Sequence, residues 1–214
     1  SVPVIAAYAS NLVTGGNVTS GNVSGGNVTG GNVTGGNVTG GNVTDGNLKL
    51  ESCNGVFLAL NQSGTEYYVY KVGAKTRIEI PSSYNGKPVT GIGKSAFEDS
   101  SVVSVIIPDS IKYIGDSAFE DCRSLYSITI PDSVESIGNY AFYVWVYSYG
   151  SYSALKNISL GNGVKSIGSY AFAYARISSI NIPASVSYID DTAFCGCDNL
   201  ESINVSEDNQ RYSS

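Results

Sequence analysis

The sequence contains neither histidine nor methionine among its 214 residues. Histidine is the usual general base and the commonest metal ligand, and it activates the nucleophile in Ser-His and Cys-His pairs. Without it the more familiar catalytic routes are closed, so we expect a protein that is not an enzyme and that uses no cofactor. The first residue is Ser1 rather than methionine, which fits a processed and secreted chain.

Charged residues are scarce and make up 14% of the chain, with 12 Lys and Arg against 18 Asp and Glu and a net charge of −6. Phosphate backbones are bound by clusters of Lys and Arg, and the sequence has no such cluster, so nucleic acid is not an expected partner. No run of about 18 apolar residues occurs, and therefore we expect no membrane-spanning helix in this chain.

Charge is absent from the N-terminal region before Asp45, where Gly-Asn-Val-Thr pentads follow a short apolar segment. We assign residues 1–47 to an apolar strand and this Gly-rich β-repeat array. Three interpretations of the array stay open: a flexible linker, a narrow β-solenoid with valine inward, and a sheet shared between subunits. The pentads also contain sequons for N-glycosylation, although Asn and Thr are equally the expected polar residues of a solvated strand.

Nine sequons occur in the chain, six of them in the array. The candidate asparagines are Asn17, Asn22, Asn27, Asn32, Asn37, Asn42, Asn61, Asn157 and Asn204. Beyond the array, residues 48–77 alternate between apolar and polar positions, with VFLAL and EYYVYKV separated by the turn residues NQSGT. This pattern predicts a β-hairpin, which we interpret as a cap on the region that follows.

A longer repeat begins at residue 78, where most copies combine Ile-x-Ile-Pro, then Ile-Gly, then Ala-Phe, as in ITIPDSVESIGNYAF. The phenylalanines of the Ala-Phe pairs lie 22, 23, 30 and 22 residues apart and are Phe97, Phe119, Phe142, Phe172 and Phe194. The region resembles the BspA-like class of leucine-rich repeat over residues 78–205. The resemblance implies a mainly β, right-handed solenoid of about five coils within residues 78–214. It also implies a surface or secreted protein that binds host or neighbouring-cell molecules.

The repeat positions have a physical interpretation of their own. The residue between the two isoleucines is polar in most copies, with Ile106 as the exception, so period-two alternation buries the flanking side chains. The prolines end the strands, and the phenylalanines are expected to stack as an aromatic spine. We expect the glycines of Ile-Gly to supply a turn, with Asp190 replacing glycine in a left-handed conformation in the last copy. These glycines are Gly93, Gly115, Gly138 and Gly168.

The interval of 30 residues contains an aromatic insert, YVWVYSYGSYSAL, that regular coils do not require. Tyrosine and tryptophan among Ser and Gly are typical of binding loops, so we predict a contact surface for a protein or glycan ligand. The alternative is a small strand pair that packs on the coil. The predicted binding residues are Tyr143, Trp145, Tyr147, Tyr149 and Tyr152.

The four cysteines do not suggest a metal site or an obvious disulfide. Cys122 and Cys197 occupy the same inward position three coils apart, near 15 Å, which is beyond the reach of a disulfide, so we expect buried thiols. Cys195 lies two residues from Cys197, Cys53 lies in the cap, and no histidine is available to complete a metal site. The acidic pairs, Glu98–Asp99, Glu120–Asp121 and Asp190–Asp191, are interpreted as solvated turns rather than catalytic carboxylates.

Two functions stay open. The first is an extracellular or cell-surface adhesion and recognition module. The second is a structural subunit of an extracellular filament that associates head to tail through its N-terminal strand and Gly-rich array, because the last coil ends at SEDNQRYSS without a capping repeat. That coil implies either a longer native chain or a segment that covers its edge. A more distant option is an ice- or glycan-binding face made by the Asn-Thr array.

Overall fold

The computed structural model describes residues 12–14, 22–24, 27–29, 37–39, 42–45, 48–145 and 153–213, with side chains from Leu50 onward. Over these ranges the chain forms strands and turns and contains no α-helix. The predicted mainly β class is therefore confirmed. A search of the same residues found no helix long and apolar enough to cross a membrane.

Five short strands of the N-terminal array are described by their backbone. β1 pairs with β3, and β2 pairs with β4, in parallel and fifteen residues apart, a spacing of three pentads. The three interpretations of the array stay predictions, because most of it lies outside the described residues. The strands are β1 (Leu12–Thr14), β2 (Asn22–Ser24), β3 (Asn27–Thr29), β4 (Asn37–Thr39) and β5 (Asn42–Asp45).

Three antiparallel strands follow the array, β6 (Leu48–Cys53), β7 (Val56–Leu60) and β8 (Tyr67–Val72). The Asn61 side chain closes the turn between β7 and β8, because its Oδ1 accepts hydrogen bonds from the backbone N–H groups of Thr65 and Glu66 at 3.0 and 3.3 Å. β5 pairs with β6 across the assigned boundary at residue 47. β8 pairs in parallel with the first coil of the repeat region, so one sheet runs into the solenoid.

The repeat region is a β-solenoid with two rows of strands. The first row contains β9 (Arg77–Glu79), β12 (Ser104–Ile106), β14 (Ser127–Thr129), β16 (Asn157–Ser159), β18 (Ser179–Ile182) and β20 (Ser202–Val205). The second row contains β11 (Lys87–Ile92), β13 (Tyr113–Ile114), β15 (Ser136–Ile137), β17 (Ser166–Ile167) and β19 (Tyr188–Ile189), with β10 (Ser83–Tyr84) antiparallel to β11. The solenoid has about six turns rather than the expected five, because residues 202–205 add a sixth strand to the first row.

Alternation along the first row follows the sequence pattern. In β14 the central Ile128 is buried, while Ser127 and Thr129 on either side are exposed. Ile106 is the exception that the sequence indicates, since 59% of its surface is exposed. The buried residues of every coil join one continuous core.

A third side of the solenoid is formed by the turns that contain the Ala-Phe pairs. Each of the first four turns donates backbone hydrogen bonds to the next coil, as from Phe97 N to Ala118 O at 2.7 Å and from Phe142 N to Ala171 O at 2.8 Å. We call this side the Ala-Phe ladder and define it as residues 94–99, 116–121, 139–144, 169–174 and 191–196.

The predicted aromatic spine is confirmed. Ring centroids of successive phenylalanines are 4.4, 5.0, 5.2 and 5.6 Å apart, with interplanar angles of 22° or less. Four of the rings are fully buried, whereas Phe194 in the last coil is only partly buried. Each interior ring therefore contacts the core of two neighbouring coils.

The expectation that the Ile-Gly glycines are needed for a left-handed turn is wrong. None of the four has a positive φ, and Asp190 in the last copy is not left-handed either. A Cβ at Gly138 would lie 2.6 Å from the backbone nitrogen of Asp116 in the preceding coil, so glycine permits close approach between coils. The Asp190 carboxylate instead accepts a hydrogen bond from the backbone N–H of Thr192 at 3.0 Å.

Residues 206–213 cover part of the last coil. The Asn209 amide nitrogen donates to the carbonyl oxygens of Pro183 and Val186 at 2.9 and 3.0 Å. The Tyr212 hydroxyl accepts a hydrogen bond from the backbone N–H of Ile189 at 2.9 Å. These bonds satisfy polar groups that another coil would otherwise pair. Ile203 in β20 keeps 44% of its surface exposed.

We expect Phe119→Ala to lower the free energy of unfolding by about 3–5 kcal/mol, because a ring buried between two coils would be replaced by a cavity. Phe194→Ala should cost less, because that ring is only partly buried and stacks on one neighbouring phenylalanine. Urea unfolding followed by circular dichroism measures both. Equal costs would contradict a spine whose interior carries more of the stability than its end.

We expect Gly138→Ala to destabilise the solenoid by about 1–3 kcal/mol, because the added methyl overlaps backbone that cannot rotate away. Gly64→Ala is the matched control, since Gly64 has a φ of 70° and a Cβ added there would have nothing within 4 Å. That control should show only the conformational cost of a left-handed alanine, about 1 kcal/mol. Thermal and urea unfolding compare the two, and a harmless Gly138→Ala would rule out the close-approach explanation.

Candidate recognition surface

Five aromatic side chains cluster in two adjacent coils, four of them on the Ala-Phe ladder and Trp145 directly after it. We call this cluster the aromatic patch, and it contains Tyr140, Tyr143, Trp145, Tyr170 and Tyr174. Trp145 is 44% exposed and Tyr140 is 38% exposed, and the other three rings are half-buried. The backbone bond from Tyr140 N to Ser169 O, at 2.8 Å, aligns the two coils.

Tyr143 is the centre of the aromatic patch. Its ring makes edge-to-face contacts with the other four rings, at centroid distances between 5.1 and 6.3 Å. Tyr140 and Tyr170 stack on each other at 5.2 Å with an angle of 11°. Burial, then the Tyr174 phenol and the Glu120 carboxylate, raise the pKa of Tyr143, which favours its neutral form.

Three tyrosines of the aromatic patch have left-handed backbone conformations. The φ angles of Tyr140, Tyr170 and Tyr174 are 56°, 52° and 60°. This region costs a side chain with a Cβ about 1 kcal/mol or more, and glycine or asparagine adopts it more readily. The equivalents of Tyr140 and Tyr170 in the first two coils are Ser95 and Ser117, which have the same left-handed φ. The equivalents of Tyr174 are Asp99 and Asp121. These tyrosines therefore occupy positions whose backbone conformation does not favour tyrosine.

Trp145 is held in place by the preceding coil. Its indole Nε1–H donates to Glu120 Oε1 at 2.6 Å, and its backbone N–H donates to Asp121 Oδ1 at 2.8 Å. The Arg123 guanidinium donates to Asp121 Oδ1 at 2.9 Å and to the Trp145 carbonyl oxygen at 2.7 Å. Because these hydrogen bonds fix Trp145, its side chain loses less conformational entropy when a ligand binds.

Gly196 in the next coil permits the Tyr174 ring to pack against its backbone. A Cβ at Gly196 would lie 2.4 Å from the ring of Tyr174, so this ring lies directly against the Gly196 backbone. Gly196 has a φ of 68°, a second reason for glycine at this position. The aromatic patch is thus supported by neighbouring coils on both sides.

The structure brings together two of the five predicted binding residues, Tyr143 and Trp145. Tyr147, Tyr149 and Tyr152 lie outside the described residues, so their role, and the alternative of a strand pair in the insert, stay predictions. The sequence analysis missed Tyr140, Tyr170 and Tyr174. The first two have a signal in the repeat, since Tyr occupies one outward position in consecutive coils (GNYAF and GSYAF).

The acidic pairs of the first two coils lie on the same ladder as the aromatic patch. Asp99 N donates to Glu120 O at 2.9 Å, and Asp121 N donates to Tyr143 O at 2.8 Å. Glu98 and Asp99 are exposed, as expected of a solvated turn. Glu120 and Asp121 have a further role, because they hold Trp145.

The third acidic pair belongs to the turn of the last coil. Hydrogen bonds from the hydroxyl and backbone N–H of Thr192 are the main causes that lower the pKa of Asp190, which stabilises its charged form. Over the described part of the chain, no group of three or more His, Cys, Asp or Glu side chains has an arrangement that suits a metal ion.

All four cysteines are free thiols. Cys122 Sγ donates to the carbonyl oxygen of Phe97 at 3.0 Å, and Cys197 Sγ makes the equivalent bond to Phe172 at 3.1 Å. Burial raises the pKa of Cys122 and of Cys197 to about 11. These two cysteines are therefore neutral packing residues, whereas Cys195 is exposed.

The sequons within the described side chains differ in their hydrogen bonding. The amide nitrogen of Asn61 donates to Thr65 Oγ1 at 3.3 Å, and that of Asn204 donates to Asn181 Oδ1 at 3.0 Å. Asn157 is exposed on β16. Asn181 and Asn204 also line an open cavity of about 270 Å³ without charged side chains. Glycosylation stays a prediction, and the array asparagines have no described side chains.

Comparisons with known proteins agree with this architecture. Residues 90–147 and 144–214 match the family model described as BspA type leucine rich repeat region, in six copies. The leucine-rich repeat protein of T. pallidum is 25% identical, with a TM-score of 0.65 over 72% of this chain and 70% of that chain. A leucine-rich repeat protein from Bacteroides ovatus is 31% identical, with a TM-score of 0.61 over 72% of this chain and 40% of that chain.

A third similar structure is the pneumococcal vaccine antigen PcpA, with a TM-score of 0.57 over 77% of this chain and 52% of that chain. It is 21% identical, so this likeness shows the fold alone. The chain thus spans less than two thirds of the Bacteroides ovatus and pneumococcal proteins. A search of curated proteins found no match.

We expect the unfolding free energy to fall as pH rises from about 9 towards 11. The ordinary pKa of a cysteine thiol is 9.0, and the folded state raises that of Cys122 to about 11. The raised pKa means that the folded state holds the thiol proton more tightly than the unfolded state does. The contribution of Cys122 to stability is therefore complete below pH 9 and is lost as the pH rises towards 11, where the buried thiol ionises. Urea unfolding at pH 8 and pH 10.5 should show a smaller loss in Cys122→Ala than in wild type. Cys195→Ala is the control, and an unchanged loss in Cys122→Ala would contradict the assignment.

Proposed function

Because the chain belongs to the BspA-type leucine-rich repeat family, we propose that it is a non-enzymatic recognition module, at the cell surface or outside the cell, whose contact surface is the aromatic patch. The family match supports a repeat scaffold and indicates no catalytic class. Protein and glycan are the two ligand classes that a tyrosine- and tryptophan-rich surface serves.

The observation that carries the proposal is the left-handed backbone of Tyr140, Tyr170 and Tyr174. The left-handed φ recurs at Ser95 and Ser117 and belongs to the repeat, so what needs an explanation is the choice of tyrosine at a conformation that does not favour it. Serine occupies the equivalent of Tyr140 and Tyr170 in the first two coils, so the fold does not require tyrosine there. A ligand contact explains the choice of tyrosine.

The energetics of interfaces agree with this assignment. Tyrosine and tryptophan are enriched among the few residues that contribute most binding energy, because they bury a large area with few rotatable bonds. In the aromatic patch, hydrogen bonds to Glu120 and Asp121 fix Trp145, and ring contacts fix Tyr143. The patch therefore loses little conformational entropy when it binds.

We do not favour the alternative of a filament subunit. That hypothesis depends on the segment before residue 48, whose side chains lie outside the described part of the chain, and on an uncovered last coil. Asn209 and Tyr212 already satisfy polar groups at that coil. Self-association stays a prediction that electron microscopy of the native protein tests directly.

The proposal predicts that the double variant Trp145→Ser, Tyr170→Ser weakens binding at least about tenfold without loss of fold. The measurement is surface plasmon resonance of the full chain against immobilised fibronectin, collagen, mucin and yeast mannan. Tyr126→Ser is the matched control, since Tyr126 is 49% exposed but lies outside the aromatic patch.

Circular dichroism and thermal unfolding establish that each variant is folded. Wild-type binding to one surface, weakened by the patch variant and kept by the control, would support the proposal. Equal binding by the patch variant and wild type, or no binding by wild type to any surface, would count against it.

A further inference from the structure

We infer that the partner segment is positively charged, an Arg- and Lys-rich peptide of another protein that lies along the Ala-Phe ladder. Its basic side chains would reach the exposed carboxylates of Glu98 and Asp99 in the first coil and the rings of the aromatic patch. The inference rests on the proposed function and adds the chemistry of the ligand.

The acidic coils are continuous with the aromatic patch. Backbone hydrogen bonds connect Asp99 to Glu120 and Asp121 to Tyr143 in successive coils. Neighbouring strands are spaced by about 4.8 Å, so a partner that contacts the patch is within one or two coils of both acidic pairs. A single extended segment is long enough to contact both.

The charge along this side of the solenoid favours a basic partner. The first two coils of the ladder contain five acidic residues and one basic residue, the exposed Lys94; the acidic residues are Glu98, Asp99, Asp116, Glu120 and Asp121. Within the part of the chain that the structure describes, Glu98 and Asp99 are exposed and have no ion-pair partner. The nearby Arg123 is already engaged with Asp121 and Trp145. A basic partner would therefore gain Coulomb energy that a neutral partner would not.

The molecule already contains a guanidinium bound beside the aromatic patch. Arg123 lies between the Asp121 carboxylate and the Trp145 carbonyl oxygen, at 2.9 and 2.7 Å, beside the aromatic patch. Arginine pairs with carboxylates and also stacks on aromatic faces, so one residue type suits both halves of this surface. The chain supplies one such arginine, and the exposed pair Glu98–Asp99 lies one coil before it.

The carboxylates beside Trp145 separate this ligand from a glycan. Its indole N–H is already donated to Glu120, so a ligand does not gain this hydrogen-bond donor. A π surface next to carboxylates attracts cations. The acidic pairs give no electrostatic advantage to a neutral sugar and repel an acidic one.

The test is fluorescence anisotropy of the full chain with a labelled peptide of about twelve residues that alternates Arg with Gly and Ser. A peptide with Gln in place of Arg, and the neutral sugar cellohexaose as competitor, are the matched probes. Binding is measured at about 0.05 M and 0.5 M salt, because ion pairs at a surface are screened at high salt. The protein variants are Glu98→Gln with Asp99→Asn, and Asp198→Asn with Glu201→Gln as an equal change of net charge elsewhere.

We expect the Arg peptide to bind at least about tenfold more tightly than the Gln peptide and to lose that advantage at 0.5 M salt. The variant of Glu98 and Asp99 should weaken binding about fivefold or more, and the control pair less than about twofold. Equal affinity for the two peptides, or equal effects of the two variant pairs, would overturn the inference.

Two further results separate this inference from the proposed function. Salt-insensitive binding of cellohexaose, lost in the Trp145→Ser, Tyr170→Ser variant, would overturn the charged partner and keep a recognition surface at the aromatic patch. If the Arg peptide fails to bind, the inference is overturned, and the plasmon resonance panel with the same patch variant decides the proposed function separately.

Discussion

The structure depends on the close stacking of one coil against the next. No coil encloses a core by itself, so each buries its apolar residues by contact with its neighbours. Four phenylalanine rings are fully buried in this stack, with centroids 4.4 to 5.2 Å apart. Glycine at Gly115 and Gly138 lets the backbones approach, because a Cβ there would overlap the preceding coil. Close approach and ring stacking together keep the coils in register.

That register has a functional consequence, because equivalent residues of successive coils lie side by side. A substitution at an outward position then changes one member of a row of surface side chains and leaves the core unchanged. The Ala-Phe ladder shows this after each phenylalanine, where the first two coils have the acidic pairs Glu98–Asp99 and Glu120–Asp121 and the next two have Tyr143 and Tyr174. Tyr140 stacks on Tyr170 because both occupy the same position of adjacent coils. A repeat scaffold thus builds a composite surface from side chains about 30 residues apart in sequence.

Several features of the repeat region could be predicted because they depend on local periodicity. The buried Ile128 between exposed neighbours follows from alternation, and the stacked rings follow from Ala-Phe recurrence. The repeat pattern indicates that glycine is required at Gly138 but not why. The reason is the backbone of the preceding coil, which a Cβ at this position would overlap. Trp145 was identified by composition, but its anchoring by Glu120 was not, because the two residues are 25 positions apart.

The sequence by itself determined the class of the fold and the residues that face its core. Periods of two and of about 22 residues are written along the chain, and burial of apolar side chains follows them. Only the tertiary structure decided which outward residues meet. Tyr143 contacts Tyr174, and Arg123 reaches the Trp145 carbonyl oxygen, through stacking between coils whose spacing a single repeat does not encode. The backbone cost at Tyr140 and Tyr170 is also visible only in three dimensions, because a φ angle is a property of the folded chain.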